Sequence, residues 1–139
     1  MKVLRLSEDE AKNLDQLPLR KIWDELEKIK PLERLPIVGP DDVIGALAHR
    51  SLITGFGSRH QDTLPNALGE MAISALNADE KALLLKTFAF VPVNATLGEA
   101  RTAMRVVSRC HDVIVTQTGS KTEPVLGWLT DSDLATLPD

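Results

Sequence analysis

The residue types able to do chemistry fall in three short stretches of this 139-residue chain. Thr130-Asp131-Ser132-Asp133 places two hydroxyls and two carboxylates directly ahead of Leu134. Thr130 and Asp133 have the spacing of a capping box, in which each side chain satisfies the other residue's backbone N–H at a helix start. A helix start also favours an anion, through its free N–H groups and positive dipole end. The local pattern leaves both roles open. Cys110-His111-Asp112 carries nucleophile and metal-ligand types, but adjacent side chains diverge on an extended segment. No second cysteine or clustered histidine completes a zinc site, so neither a metal site nor a catalytic set is expected. Gly55-Phe56-Gly57-Ser58 is too short for a phosphate loop and lacks the lysine that follows one. It reads as a helix exit.

The elements that must position these residues come in two copies. Val43-Ile44-Gly45-Ala46-Leu47-Ala48-His49-Arg50-Ser51-Leu52 aligns with Val125-Leu126-Gly127-Trp128-Leu129-Thr130-Asp131-Ser132-Asp133-Leu134 in the apolar pair, the glycine and two leucines. Leu35-Pro36-Ile37-Val38 precedes the first copy and Val113-Ile114-Val115-Thr116 the second. Further back, Leu19, Ile22 and Leu26 fall on Leu97, Ala100 and Met104, which is helical spacing. The copies differ in hairpin length, Gly39 to Asp42 against Gln117 to Pro124, and surface loops tolerate such insertions cheaply. The chain therefore reads as a duplicated supersecondary unit.

Each unit is expected to run strand, helix, strand, strand, helix. In the first, Pro18 stands ahead of a helix over 19–30 with an inward stripe of Ile22, Trp23, Leu26 and Ile29. Strands over 34–38 and 42–47 follow, then a helix from about His49 to Ile53 closed by Gly55 and Gly57. The opening strand of this unit is poorly defined, because Lys12 to Asp15 is a weak strand sequence. In the second, Phe88 to Val93 is the opening strand and Thr96-Leu97-Gly98-Glu99 caps a helix to about Ser108. Strands over 112–116 and 124–129 and a helix from Ser132 to Leu137 complete it. Ser7-Glu8-Asp9-Glu10 caps a short helix at the start of the chain. Between the units, Thr63 and Pro65 open one helical pattern and Asn77-Ala78-Asp79-Glu80 caps another. The divisions are 1–58 for the first unit with its leading helix, 59–87 for a helical connector, and 88–139 for the second unit.

Composition sets bounds. An apolar content of 43% suits a globular fold. A net charge of -4 argues against a general nucleic-acid or anionic-membrane surface. No apolar run approaches the ~20 residues of a membrane helix, and Met1-Lys2-Val3-Leu4-Arg5 lacks the apolar core of a signal peptide. A lone cysteine excludes an internal disulfide and fits a reducing, cytoplasmic setting.

The helix, the strand reading Leu-Pro-Ile-Val, the turn, and apolar-apolar-Gly-apolar-apolar-Thr-x-x-Asp-Leu resemble the CBS domain, named after cystathionine beta-synthase. Two in tandem resemble a CBS pair, or Bateman module. The likeness covers about 18–54 and 88–137. It implies an α+β fold of two β-α-β-β-α repeats facing each other across a pseudo-two-fold axis. It also implies clefts that bind AMP, ADP, ATP or S-adenosylmethionine, regulation of an enzyme, channel or transporter, and a homodimer. In the family pattern the Thr130 hydroxyl contacts phosphate and the Asp133 carboxylate accepts from the ribose hydroxyls, with Ser132 a further phosphate donor. Two acceptor oxygens suit a diol. The partner repeat would complete this cleft through Leu17, Pro18, Leu32, Glu33 and Arg34. Arg34 could reach a phosphate, whereas Glu33 and Asp131 weigh against a polyphosphate tail. In the first repeat Ala48 and Ser51 replace the hydroxyl and the carboxylate, so that cleft is expected to be empty or altered. No cofactor and no catalytic role is expected. The alternative is an interaction domain that dimerises or docks onto a protein, its clefts vestigial.

Overall fold

Two small sheets of identical topology carry the fold. In the computed structural model, which describes residues 2–59 and 71–136, β1 (Leu4–Arg5) runs parallel to β2 (Arg34–Val38), and β2 runs antiparallel to β3 (Ile44–His49). β4 (Phe88–Pro92), β5 (Asp112–Thr116) and β6 (Gly127–Thr130) repeat the same order and directions. Helices α1 (Glu8–Lys12), α2 (Leu19–Lys28) and α3 (Arg50–Arg59) accompany the first sheet. Helix α4 (Ala78–Leu85) leads into the second, which carries α5 (Leu97–Val106) and α6 (Asp131–Thr136). The duplication read from the sequence is thus present as repeated strand order and strand direction.

The periodicities explain the layers. Helix α2 buries Leu19, Ile22 and Leu26 at its inward spacing, against Leu35 and Ile37 of β2. Leu84 of α4 joins this cluster. In the second unit Ala100 of α5 and Leu134 of α6 pack with Ala89, Val91 and Val113. Adjacent strand residues face opposite ways, so Ile37 points to the helices while Val38 points to the other unit. Val38 and Ile44 meet Ile114, flanked by Phe88, Phe90 and Trp128, and this third cluster joins the two sheets. A backbone bond from Val125 N–H to the Asp42 carbonyl, 2.9 Å, adds to the joint. The capping boxes expected at Ser7/Glu10, Asn77/Glu80 and Thr96/Glu99 all form.

Several elements differ from the sequence reading. The first opening strand is Leu4–Arg5; Lys12 ends α1, and Leu14–Gln16 form a 3-10 turn. Only two residues pair there, extended by Leu6 N–H to the Val38 carbonyl at 2.8 Å. A strand that short leaves no alternation to detect, and its place is fixed by burial of Leu4 and Leu6. Helix α2 stops at Lys28, where Ile29 N–H turns back to the Leu26 carbonyl. Helix α3 begins at Arg50 and runs through Gly55 and Gly57 to Arg59. A glycine inside a helix costs about 1 kcal/mol relative to alanine, and the complete burial of Ile53 and Phe56 outweighs it. The hairpin strands are 44–49 and 127–130, shifted from 42–47 and 124–129. Asp42 adopts φ 61 in the first turn, and Gly39 N–H bonds Val43, which assigns Val43 to the turn. The helical pattern opened by Thr63 and Pro65, and Leu137 at the end of the last helix, lie outside the described residues.

Candidate functional site

Strand register brings equivalent ends of the two hairpins together. Arg34 at the start of β2 pairs with His49 at the end of β3, and Asp112 at the start of β5 pairs with Thr130 at the end of β6. Side chains from both ends open onto a cleft of about 750 Å³ between the repeats. Leu32, Leu126 and Trp128 form apolar walls, Leu32 and Leu126 being about half exposed. Arg34, His49 and Thr130 give the cleft its polar lining, with Glu33 and Lys2 also on its surface.

Beneath it lies a charged cluster. The Asp112 carboxylate is completely buried. Its Oδ1 accepts from the Trp128 indole N–H at 2.9 Å and faces Arg34 Nε at 3.5 Å. Its Oδ2 lies 3.5 Å from His49 Nε2, beyond hydrogen-bond reach, and has no hydrogen-bond donor. Arg34 Nε donates to His49 Nδ1 at 3.4 Å, and its Nη2 lies 3.5 Å from Asp131. Asp131 is held in turn by His111 Nδ1 at 2.9 Å. Partial burial pushes the Asp131 carboxyl up. The His111 bond, the Ser132 N–H and the charges of Arg34 and His111 outweigh this, leaving it below the usual aspartate range.

Arg50 is fully engaged. Its Nη2 donates to the carbonyls of Leu26 at 2.7 Å and Leu32 at 3.0 Å, its Nη1 reaches Glu27 at 3.1 Å, and its Nε faces Glu33 at 3.4 Å. It therefore fixes the turn from which Leu32 and Glu33 project.

Of the residues singled out in the sequence, Leu32, Glu33, Arg34 and Thr130 line one cleft. Asp133 and Ser132 are exposed in the first turn of α6. Asp133 Oδ2 accepts from Thr130 N–H at 2.9 Å, and Thr130 Oγ1 accepts from Asp133 N–H at 3.2 Å, so the capping box forms. The Thr130 hydroxyl proton and Asp133 Oδ1 have no bond within that box. Pro18 stands apart: it bridges Ala72 at the start of α2. The expected turn was counted from a misplaced opening strand, which is why Pro18 falls outside the cleft. Ala48 is completely buried, whereas Ser51 lines both this cleft and a smaller one of about 430 Å³ with His49, Thr87, Arg109 and His111. Asp112 was missed. Its signal was available, since Arg34 and Asp112 occupy the same position ahead of equivalent strands with opposite charge.

No protein-family model matches the chain, and no curated protein matches it in sequence. Solved structures match its shape. A hemolysin-like protein containing a CBS domain, from Oenococcus oeni PSU, aligns at TM-score 0.60 and 17% identity, over 96% of this chain and 78% of that one. The CBS domain of the bacterial CNNM/CorC family Mg2+ transporter aligns at TM-score 0.59 and 15% identity, over 96% and 66%. CBSX2 in complex with AMP aligns at TM-score 0.57 and 11% identity, over 97% and 84%. With two sheets of repeated topology facing each other and these matches across nearly its whole length, the chain has the fold of a tandem CBS domain pair.

Proposed function

We propose that this chain is a regulatory module that binds an adenosine-type ligand in the cleft between its repeats and passes occupancy to a partner protein. The observation that carries this reading is the cleft itself: about 750 Å³, lined by both repeats, with apolar walls and polar groups at the strand ends. Such a slot suits a flat base with a polar appendage. The AMP bound in CBSX2 supports the ligand class, and the CNNM/CorC transporter domain supports control of an associated protein. In this reading Arg34 and the Thr130 hydroxyl meet the phosphate and Asp133 Oδ1 the ribose, while Leu32, Leu126 and Trp128 flank the base.

Charge narrows the ligand. Arg34 already faces Asp112 and Asp131, and Arg50 faces Glu27 and Glu33. A polyphosphate would have to displace these carboxylates, so AMP or a neutral-tailed or cationic adenosine compound is favoured over ATP. The module works as a homodimer in the cytoplasm and catalyses no reaction of its own. Among the described residues no helix is long and apolar enough to cross a membrane.

The completed Thr130–Asp133 capping box favours a second reading, in which the fold only dimerises or docks. A melting-point panel separates the two. AMP or S-adenosylmethionine at about a hundred times its dissociation constant should stabilise the fold by roughly 2.7 kcal/mol, with ATP less effective at equal concentration. If AMP, ADP, ATP and S-adenosylmethionine all leave the melting point unmoved, the docking reading replaces this one.

A further inference from the structure

A completely buried carboxylate is costly to strip of water unless it is well paired. Asp112 carries that cost with one good hydrogen bond and two longer contacts. Its partners share one property. Trp128, Arg34 and His49 all line the large cleft, whereas Asp112 is not among the lining residues. Moreover, Asp112 and Trp128 belong to the second repeat, and Arg34 and His49 to the first. One carboxylate beneath the cleft thus lies against three lining side chains drawn from both repeats.

We propose that Asp112 is the positioning residue of this cleft, fixing Trp128, Arg34 and His49 through one buried charge and so tying the shape of the cleft to the docking of the two repeats. The bonding explains how. The indole N–H pins the Trp128 ring on one side of the carboxylate, and Arg34 Nε bridges Asp112 and His49 on the other. Displacement of Arg34 toward a ligand, or toward Asp131, removes a cation from Asp112 and leaves its charge to the indole N–H and the longer His49 contact. Motion at Arg34 is therefore felt at Trp128 through Asp112. A hydrophobic joint alone, such as Val38 against Ile114, would not transmit it, because apolar contact is not directional. This inference rests on the proposed cleft function only where ligand is concerned; the coupling itself exists without ligand.

The test uses the full chain with Trp23→Phe, so that Trp128 is the sole fluorophore. Acrylamide quenching and near-ultraviolet circular dichroism are read without ligand for Asp112→Asn, Arg34→Ala and the double variant. Asp112→Asn keeps the size of the side chain and an acceptor for the indole while removing the charge. The expected result is that Arg34→Ala raises Trp128 quenching in the Asp112 protein and has no further effect in the Asp112→Asn background. Equal effects of Arg34→Ala in both backgrounds overturn the proposal. If Asp112→Asn fails to fold, Arg34→Ala decides alone, and an unchanged Trp128 signal overturns it. With AMP as probe, the dissociation constants of the two single variants should combine non-additively by roughly threefold or more. A purely structural Asp112 would lower the melting point and leave the constants additive. Absence of binding by AMP, ADP, ATP and S-adenosylmethionine alike in the parent protein defeats the proposed function and leaves the ligand-free quenching cycle to judge Asp112.

Discussion

Arg50→Ala is the substitution whose cost can be worked most directly from the structure. The side chain is only 15% exposed. Its guanidinium donates to the Leu26 carbonyl near the end of α2 and to the Leu32 carbonyl in the turn before β2. A hydrogen bond from a charged donor contributes roughly 1.5–3 kcal/mol. Here one nitrogen serves both carbonyls, and Leu32 stands half exposed, so water can replace part of what is lost. The contacts to Glu27 and Glu33 add at most about 1 kcal/mol each, because those carboxylates are partly or largely in solvent. The guanidinium also lies 6.0 Å from the Trp23 ring centroid, a contribution of the same small order. Together these predict a loss of roughly 2–4 kcal/mol. Urea unfolding should show it as a lower midpoint with an unchanged slope. Arg50→Lys should recover less than half, because an ammonium cannot span two carbonyls and two carboxylates as the planar fork does. Since Leu32 and Glu33 project from the clamped turn, Arg50→Ala should also weaken binding in the cleft while the protein is still folded. A loss below about 0.5 kcal/mol, the range of an ordinary surface change, or full rescue by lysine, would refute the clamp.

Asp133→Ala should cost about 1 kcal/mol by uncapping α6 and should abolish any stabilisation by AMP. Retention of the AMP effect would move the ribose site elsewhere. The Glu123 carboxylate accepts from Thr118 N–H, Thr118 Oγ1 and Ser120 N–H, and these bonds hold its carboxyl below the usual glutamate range. A carboxyl lowered in the folded state stabilises above its unfolded value and loses that contribution as pH falls through the folded one. The Thr118 and Ser120 amide resonances should therefore move together on acidification below about pH 4.5, the unperturbed carboxylate range; amides that do not titrate would exclude the clasp. Burial pushes the Cys110 thiol up, and a thiol is a poor nucleophile when protonated and covered. Thiol-directed reagents should label it slowly in native protein and rapidly in urea, and equal rates would show that Cys110 is not buried.

Much of the fold was legible because it rests on local physics repeated twice. The capping boxes at Ser7, Asn77 and Thr96 each close within four residues, and Leu19, Ile22 and Leu26 meet the core at the spacing the sequence shows. What failed locally failed for a common reason. Leu4–Arg5 is a strand only because β2 lies beside it, and α3 passes Gly55 and Gly57 because Phe56 is held by a core assembled from distant segments. The candidate site divides the same way. Leu32, Glu33, Arg34 and Thr130 followed from the family resemblance, Pro18 was counted from the misplaced strand, and Asp112 stood out only as the counterpart of Arg34 in the other repeat.

Sequence alone determined the duplication, the order of elements in the second unit and the residues of the capping boxes, since these follow from spacing along the chain. Only tertiary structure decided that Asp112 is buried, that Arg34 meets both Asp112 and Asp131, and that Arg50 clamps a turn rather than awaiting a ligand. Burial and ion pairing depend on which surfaces from remote parts of the chain exclude water together. No periodicity encodes that, because the energy of a charge is set by its surroundings in space and not by its neighbours in sequence.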